Sequence, residues 1–314
     1  MDIRSIFMGT PEFAVPVLES LIQGSYDVVA VYTQPDKPAG RGQQLTSPPI
    51  KELAMKHKVP VIQPNTLKSA EVVQGLASFE PELIVVAAFG YILPREVLSL
   101  PKFGCLNVHP SLLPKHRGPS PVAETLLCGD LFAGVTIMLM EEGLDSGPIL
   151  AQQKVGVSAS DTTGSLTCKL ASAGAELLME TLPKWLGGEL KPQAQDEDRA
   201  TYSRMIINKD GELNWHLTAV ELWQRVRAFN PWPGCYTWWK GKRLEIHSAT
   251  PLGDKAKGEI GKVVALPKSA PVRVGVVTGE GILGLCRIQL EGKREMSADE
   301  FTRGQRDFIG SSLI

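Results

Sequence analysis

Cysteine is scarce and unpatterned: five in 314 residues, an odd number with no Cys-x-x-Cys pair. That argues against a disulfide scaffold and against the usual zinc motifs, and it suits a reducing cytoplasm. No His/Cys/Asp cluster has ligand spacing, so no metal is expected. Long apolar runs are missing too. The longest, Leu83 to Leu93, has 11 residues and contains Gly90, whereas a bilayer span needs about 20; no membrane partner is expected. The start, Met1-Asp2-Ile3-Arg4, lacks the basic-then-apolar plan of a secretory leader. The first strand is followed by Gly9-Thr10-Pro11-Glu12-Phe13-Ala14 rather than Gly-x-Gly-x-x-Gly, which disfavours a dinucleotide oxidoreductase. No internal repeat is present.

What is there is ordinary globular material, 43% hydrophobic and 21% charged, and the length suggests two domains. A net charge of −1 hides an asymmetry: residues 1–203 carry a net −6 and residues 204–314 a net +5. The split is either chance variation of surface charge or the mark of a C-terminal part that faces a polyanion. Ser5–Met8, Val28–Tyr32, Leu83–Ala88, Cys105–His109 and Val135–Met140 read as strands alternating with helical patterns, the grammar of a mostly parallel sheet with helices on both faces. Thr10 is expected to cap the first helix, with Gly24 ending it. Leu166, Leu170, Ala173, Leu177 and Leu178 mark a long closing helix. The polar, aperiodic stretch around Glu189–Asp198 reads as a linker. Beyond it, capping boxes at Thr218-x-x-Glu221 and Ser297-x-x-Glu300 and short strands with turns at Lys240–Lys242 and Thr278–Gly281 suggest a small β-barrel of the oligonucleotide-binding kind. The expected layout is a Rossmann-like α/β domain over 1–187, a linker over 188–210 and a β-barrel domain over 211–314.

Asn107 and His109 are two apart on a strand, so their side chains share a face. An amide donor beside an imidazole suits a carbonyl that becomes an oxyanion while a proton moves; the plainer reading is an Asn and a His satisfied by neighbouring backbone. Asp145 lies in the loop Glu141–Gly147, where Gly143 and Gly147 allow close folding. It either fixes a histidine tautomer or simply forms a turn. The loop Gln34–Pro49 is long for a strand-to-helix connection, which often marks function.

The run Gly104–Pro114, with Arg117-Gly118 and Gly143-Leu144-Asp145-Ser146-Gly147, resembles the folate-dependent formyltransferase family. Gln34–Gly42 and Ala228-Phe229-Asn230-Pro231-Trp232-Pro233-Gly234 resemble the branch that acts on tRNA, and the similarity runs over essentially the whole chain. The resemblance implies transfer of formyl from 10-formyltetrahydrofolate to the methionine amine of initiator tRNA, in a monomer. It implies catalytic roles for Asn107, His109 and Asp145. It places folate against Ile92, Leu93 and Ser111-Leu112-Leu113-Pro114, and the tRNA acceptor end against Lys37 and Arg41. The alternatives are another amine acceptor (a purine intermediate or an amino sugar nucleotide), hydrolysis of the donor, or a noncatalytic RNA-binding protein.

Overall fold

Strands buried along their whole length, Leu83–Ala87 and Cys105–His109, make the centre of a seven-stranded sheet. The computed structural model describes residues 3–24, 26–39, 44–253 and 258–314. In chain order the first strands and helices are β1 (Arg4–Gly9), α1 (Val15–Gln23), β2 (Asp27–Tyr32), β3 (Lys37–Ala39), β4 (Gln44–Thr46), α2 (Pro49–Lys56), β5 (Val61–Ile62), α3 (Ala70–Ala77) and β6 (Leu83–Ala87). They continue with α4 (Arg95–Leu98), β7 (Cys105–His109), α5 (Pro121–Leu127), β8 (Phe132–Leu139), β9 (Ile149–Gly156) and α6 (Thr163–Leu186). The sheet runs β5-β2-β1-β6-β7-β8-β9, parallel through β7 and antiparallel over β8 and β9.

The sheet carries helices on both faces. On one, Ile6, Met8, Ile84, Val86 and Cys105 pack with Leu76, from α3, and Val97, from α4. By alternation, Asn107 and His109 extend that face along β7. On the other, α6 approaches so closely that a Cβ at Gly174 would lie 2.8 Å from the Val108 side chain and 3.2 Å from Val135.

Two sequence expectations are corrected. Thr10 caps no helix: its hydroxyl donates to the Phe89 carbonyl (3.1 Å), Pro11 precedes a short 3-10 turn, and α1 starts only at Val15. The loop after β2 is not wholly irregular, since β3 and β4 pair as an antiparallel ribbon.

Two compact units emerge. One comprises the chain up to Pro121, Phe132–Val157 and Thr167–Arg204; the other Val122–Leu131, Ser158–Leu166 and Met205–Ile314. The second unit holds α7 (Ala219–Ala228), β10 (Cys235–Trp239), β11 (Lys242–Leu252), β12 (Val263–Ala265), β13 (Val274–Val277), β14 (Ile282–Leu290), β15 (Met296–Ser297) and α8 (Ala298–Gly304). The capping box at the start of α7 is complete: Thr218 Oγ1 accepts from Glu221 N–H and Glu221 accepts from Thr218 N–H. The sheet is antiparallel, β10-β11-β14-β13-β12, with β15 beside β14. Both of its edges bond residues 310–314: Ile314 exchanges N–H···O bonds with Trp238 (3.1 and 3.2 Å), while Val263 N–H donates to Ser311 O and Leu313 N–H to Gly261 O (2.9 Å each). Trp239, Phe301 and Phe308 meet edge to face within, their ring centres 5.0–5.6 Å apart. This is the barrel-like C-terminal fold that the turn spacing predicts.

Candidate active site

β7 is buried throughout, and a buried polar side chain needs partners. Asn107 and His109 find the same one. Asn107 Nδ2 donates to Asp145 Oδ1 at 3.4 Å, and His109 Nδ1 lies 3.7 Å from that oxygen. The other oxygen, Asp145 Oδ2, accepts the Gly118 N–H at 2.7 Å. Gly118 has φ +108°, and a Cβ there would come within 2.7 Å of the Ser203 carbonyl oxygen, so the donor requires glycine. The three residues singled out on the sequence are one cluster.

On its far side the imidazole Nε2 lies 3.2 Å from the His116 carbonyl oxygen. A carbonyl only accepts, so Nε2 carries a proton and the neutral ring keeps its lone pair at Nδ1, toward Asp145. Burial pushes the His109 pKa below the ordinary histidine value, against the opposing pull of the Asp145 charge and the His116 carbonyl, with the nearby His116 ring lowering it further.

The cluster forms part of the wall of a cavity of about 970 Å³, within the size range of small-molecule sites. Ile92, Leu93, Met138 and Met140 supply apolar wall. Ile92 is 83% exposed while Leu93 is 5%; a large apolar side chain left bare on a cavity wall is free to meet a ligand. Ser111–Pro114 do not line this cavity. Ser111 Oγ donates to Lys115 O (2.6 Å), Leu113 N–H to Thr136 Oγ1 (3.2 Å) and Gln152 Nε2 to Leu113 O (2.8 Å), so these residues brace the turn after β7. Lys37 is exposed, its ammonium on Gln34 Oε1 at 2.7 Å. Arg41 lies outside the described residues. Among the described residues no group of three His, Cys, Asp or Glu could hold a metal ion, and no helix is long and apolar enough to cross a membrane.

Pattern reading missed the support behind the cluster. The stretch read as linker folds back on Arg117: Gln195, Glu197 and Tyr202 all bond its guanidinium. About 80 residues separate these partners along the chain, so no local periodicity could reveal them.

The family described as "Formyl transferase" matches residues 2–182, and "Formyl transferase, C-terminal domain" matches 205–306. The methionyl-tRNA formyltransferase of Dehalococcoides mccartyi is 46% identical over 312 residues, covering 99% of this chain and 98% of that protein. That of Bacillus subtilis is 44% identical over 311 residues, covering 99% and 97%. Among solved structures, WlaRD, a sugar 3N-formyl transferase, superposes with a TM-score of 0.66 at 17% identity, over 94% of this chain and all of that one. HypX from Aquifex aeolicus in complex with tetrahydrofolic acid gives 0.61 at 17% identity, over 98% of this chain and 48% of its own. At such identities the structures show a shared fold.

Proposed function

The chain belongs to the formyl transferase family, and from that premise we infer that it moves the formyl group of 10-formyltetrahydrofolate onto the α-amino group of methionine carried by initiator tRNA. The observation that carries the acceptor is identity of 44–46% with methionyl-tRNA formyltransferases across both units. The +5 charge of residues 204–314 supports a polyanionic partner. On this reading residues 1–187 are catalytic, 211–314 hold the tRNA and 188–210 connect them, with Lys37 and Arg41 at the acceptor end.

The chemistry follows from the cluster. An α-amino group has a reference pKa near 7.7, so a useful fraction is already a neutral nucleophile. Its attack on the formyl carbon gives a tetrahedral centre with an oxyanion and a cationic nitrogen. The Asn107 amide donates to the oxyanion. His109 takes the ammonium proton at Nδ1 and becomes an imidazolium, which the Asp145 carboxylate stabilises. That proton then goes to the departing folate nitrogen as the C–N bond breaks. Ile92 and Leu93 offer the apolar wall for the folate ring, and Ser111–Pro114, in the turn that follows His109 beside that cavity, are the remaining folate contacts the family resemblance implies.

The test is acceptor choice. Purified enzyme supplied with 10-formyltetrahydrofolate is expected to formylate methionyl initiator tRNA and to leave a dTDP-linked amino sugar untouched. Formylation of the sugar with the tRNA left unmodified would overturn the assignment.

A further inference from the structure

Asp145 holds an unusual backbone. Its φ is +50°, a left-handed conformation that an L-residue keeps only where its surroundings enforce it. Its main chain is held by one side chain, 50 residues away in sequence: Gln195 Nε2 donates to the Asp145 carbonyl at 2.8 Å and to the Gly147 carbonyl at 2.7 Å. Its Oε1 in turn accepts from Arg117 Nε at 3.1 Å and Nη2 at 2.9 Å. Both amide hydrogens and both oxygen lone pairs are thus engaged. The amide cannot be flipped, because guanidinium only donates and carbonyls only accept. A carboxylate of the same shape would meet Arg117 but repel the two carbonyls, and an apolar side chain would satisfy neither.

Arg117 is fixed in its turn. Its side chain is 1% exposed and pairs with Glu197 through two hydrogen bonds, Nη1 to Oε2 at 2.9 Å and Nη2 to Oε1 at 2.7 Å. Tyr202 OH lies 3.2 Å from Nη1. The residue that follows, Gly118, gives its N–H to Asp145 Oδ2. One arginine therefore anchors both grips on Asp145, the main-chain grip through Gln195 and the carboxylate grip through Gly118.

We propose that Gln195 is a positioning residue for the transfer reaction, aiming the Asp145 carboxylate at His109 and Asn107. The inference rests on the catalytic reading of Asp145 given above. It makes the polar stretch after α6 part of the active-site machinery. Displacing a catalytic group by about 1 Å can cost ~10² in rate, and without the amide fork the Asp145 peptide is free to relax to an ordinary conformation.

The test compares Gln195→Glu, Gln195→Ala, Asp145→Asn and the two double variants in steady-state transfer to methionyl initiator tRNA. Gln195→Glu keeps the Arg117 contact, so the chain stays anchored while the fork on the carbonyls is lost. Both Gln195 variants are expected to lose roughly 10–100-fold in kcat, with the KM for each substrate within about threefold and little change in Tm. In the Asp145→Asn background, replacing Gln195 should cost nothing more, because the carboxylate it aims is gone. Losses that multiply in the double variants, or wild-type kcat in both single variants, would overturn the proposal. Wild-type kcat in Asp145→Asn alone would instead overturn the reading beneath it. A second readout needs no turnover: the NMR titration of the His109 ring, which faces Asp145 and His116, should move to lower pH in Gln195→Ala as the carboxylate drifts away. An unmoved titration also contradicts the proposal.

Discussion

The imidazole of His109 has one neutral form open to it, because the carbonyl of His116 accepts the Nε2 proton and leaves Nδ1 as the basic atom beside Asp145. Burial lowers its pKa in the folded protein, whereas the unfolded chain binds the proton near the ordinary value of about 6.5. Below that value the unfolded state takes up more protons, so stability contributed at neutral pH is lost as the pH falls toward the folded pKa. His109→Asn removes this difference. Urea titrations at pH 7.5 and 5.5 should show a smaller acid-induced loss of stability in the variant than in the wild type. An equal loss in both would mean that His109 does not titrate differently on folding. At this scale the sequence was informative, since Asn107-x-His109 on a strand fixes which side chains converge. The tautomer was not legible, because it depends on a turn that brings His116 back over the ring.

Elements were legible where local chemistry decides them. β7 has the predicted bounds, Cys105–His109, and the Thr218-x-x-Glu221 box opens α7 as expected. Elements that depend on distant partners were hidden. The Glu189–Asp198 stretch looks like linker because most of it is exposed and polar, yet two of its side chains, Gln195 and Glu197, bond Arg117, and Gln195 also bonds the Asp145 carbonyl. Residues 310–314 carry no strand pattern, yet they bond both edges of the second sheet and bury Leu313 to 5% exposure. Truncating a buried leucine to alanine costs about 2–5 kcal/mol. Leu313→Ala should therefore lower the unfolding free energy by about that amount, read from urea unfolding followed by tryptophan fluorescence. A change below about 0.5 kcal/mol, typical of a surface site, would show that these residues lie on the barrel without supporting it.

Across the whole molecule, the proposed function divides the task between a C-terminal charge excess that attracts a polyanion and a buried cluster that moves a proton. Each phosphate contact contributes about 0.9 to the salt slope of binding. Replacing Lys242, Lys268 and Lys293, all exposed in the second unit, by glutamine should flatten the dependence of tRNA affinity on salt and leave kcat at saturating tRNA unchanged; an unaltered slope would separate the +5 charge from tRNA binding. On the proposed mechanism His109 carries the proton while Asn107 holds the oxyanion and Asp145 the imidazolium. The most direct measurement is the single-turnover rate of formyl transfer by His109→Ala at saturating 10-formyltetrahydrofolate and methionyl initiator tRNA, with donor affinity measured in parallel. The expected rate is lower by roughly 10²-fold or more, with donor affinity within about twofold of the wild type. Transfer at close to the wild-type rate would contradict that mechanism.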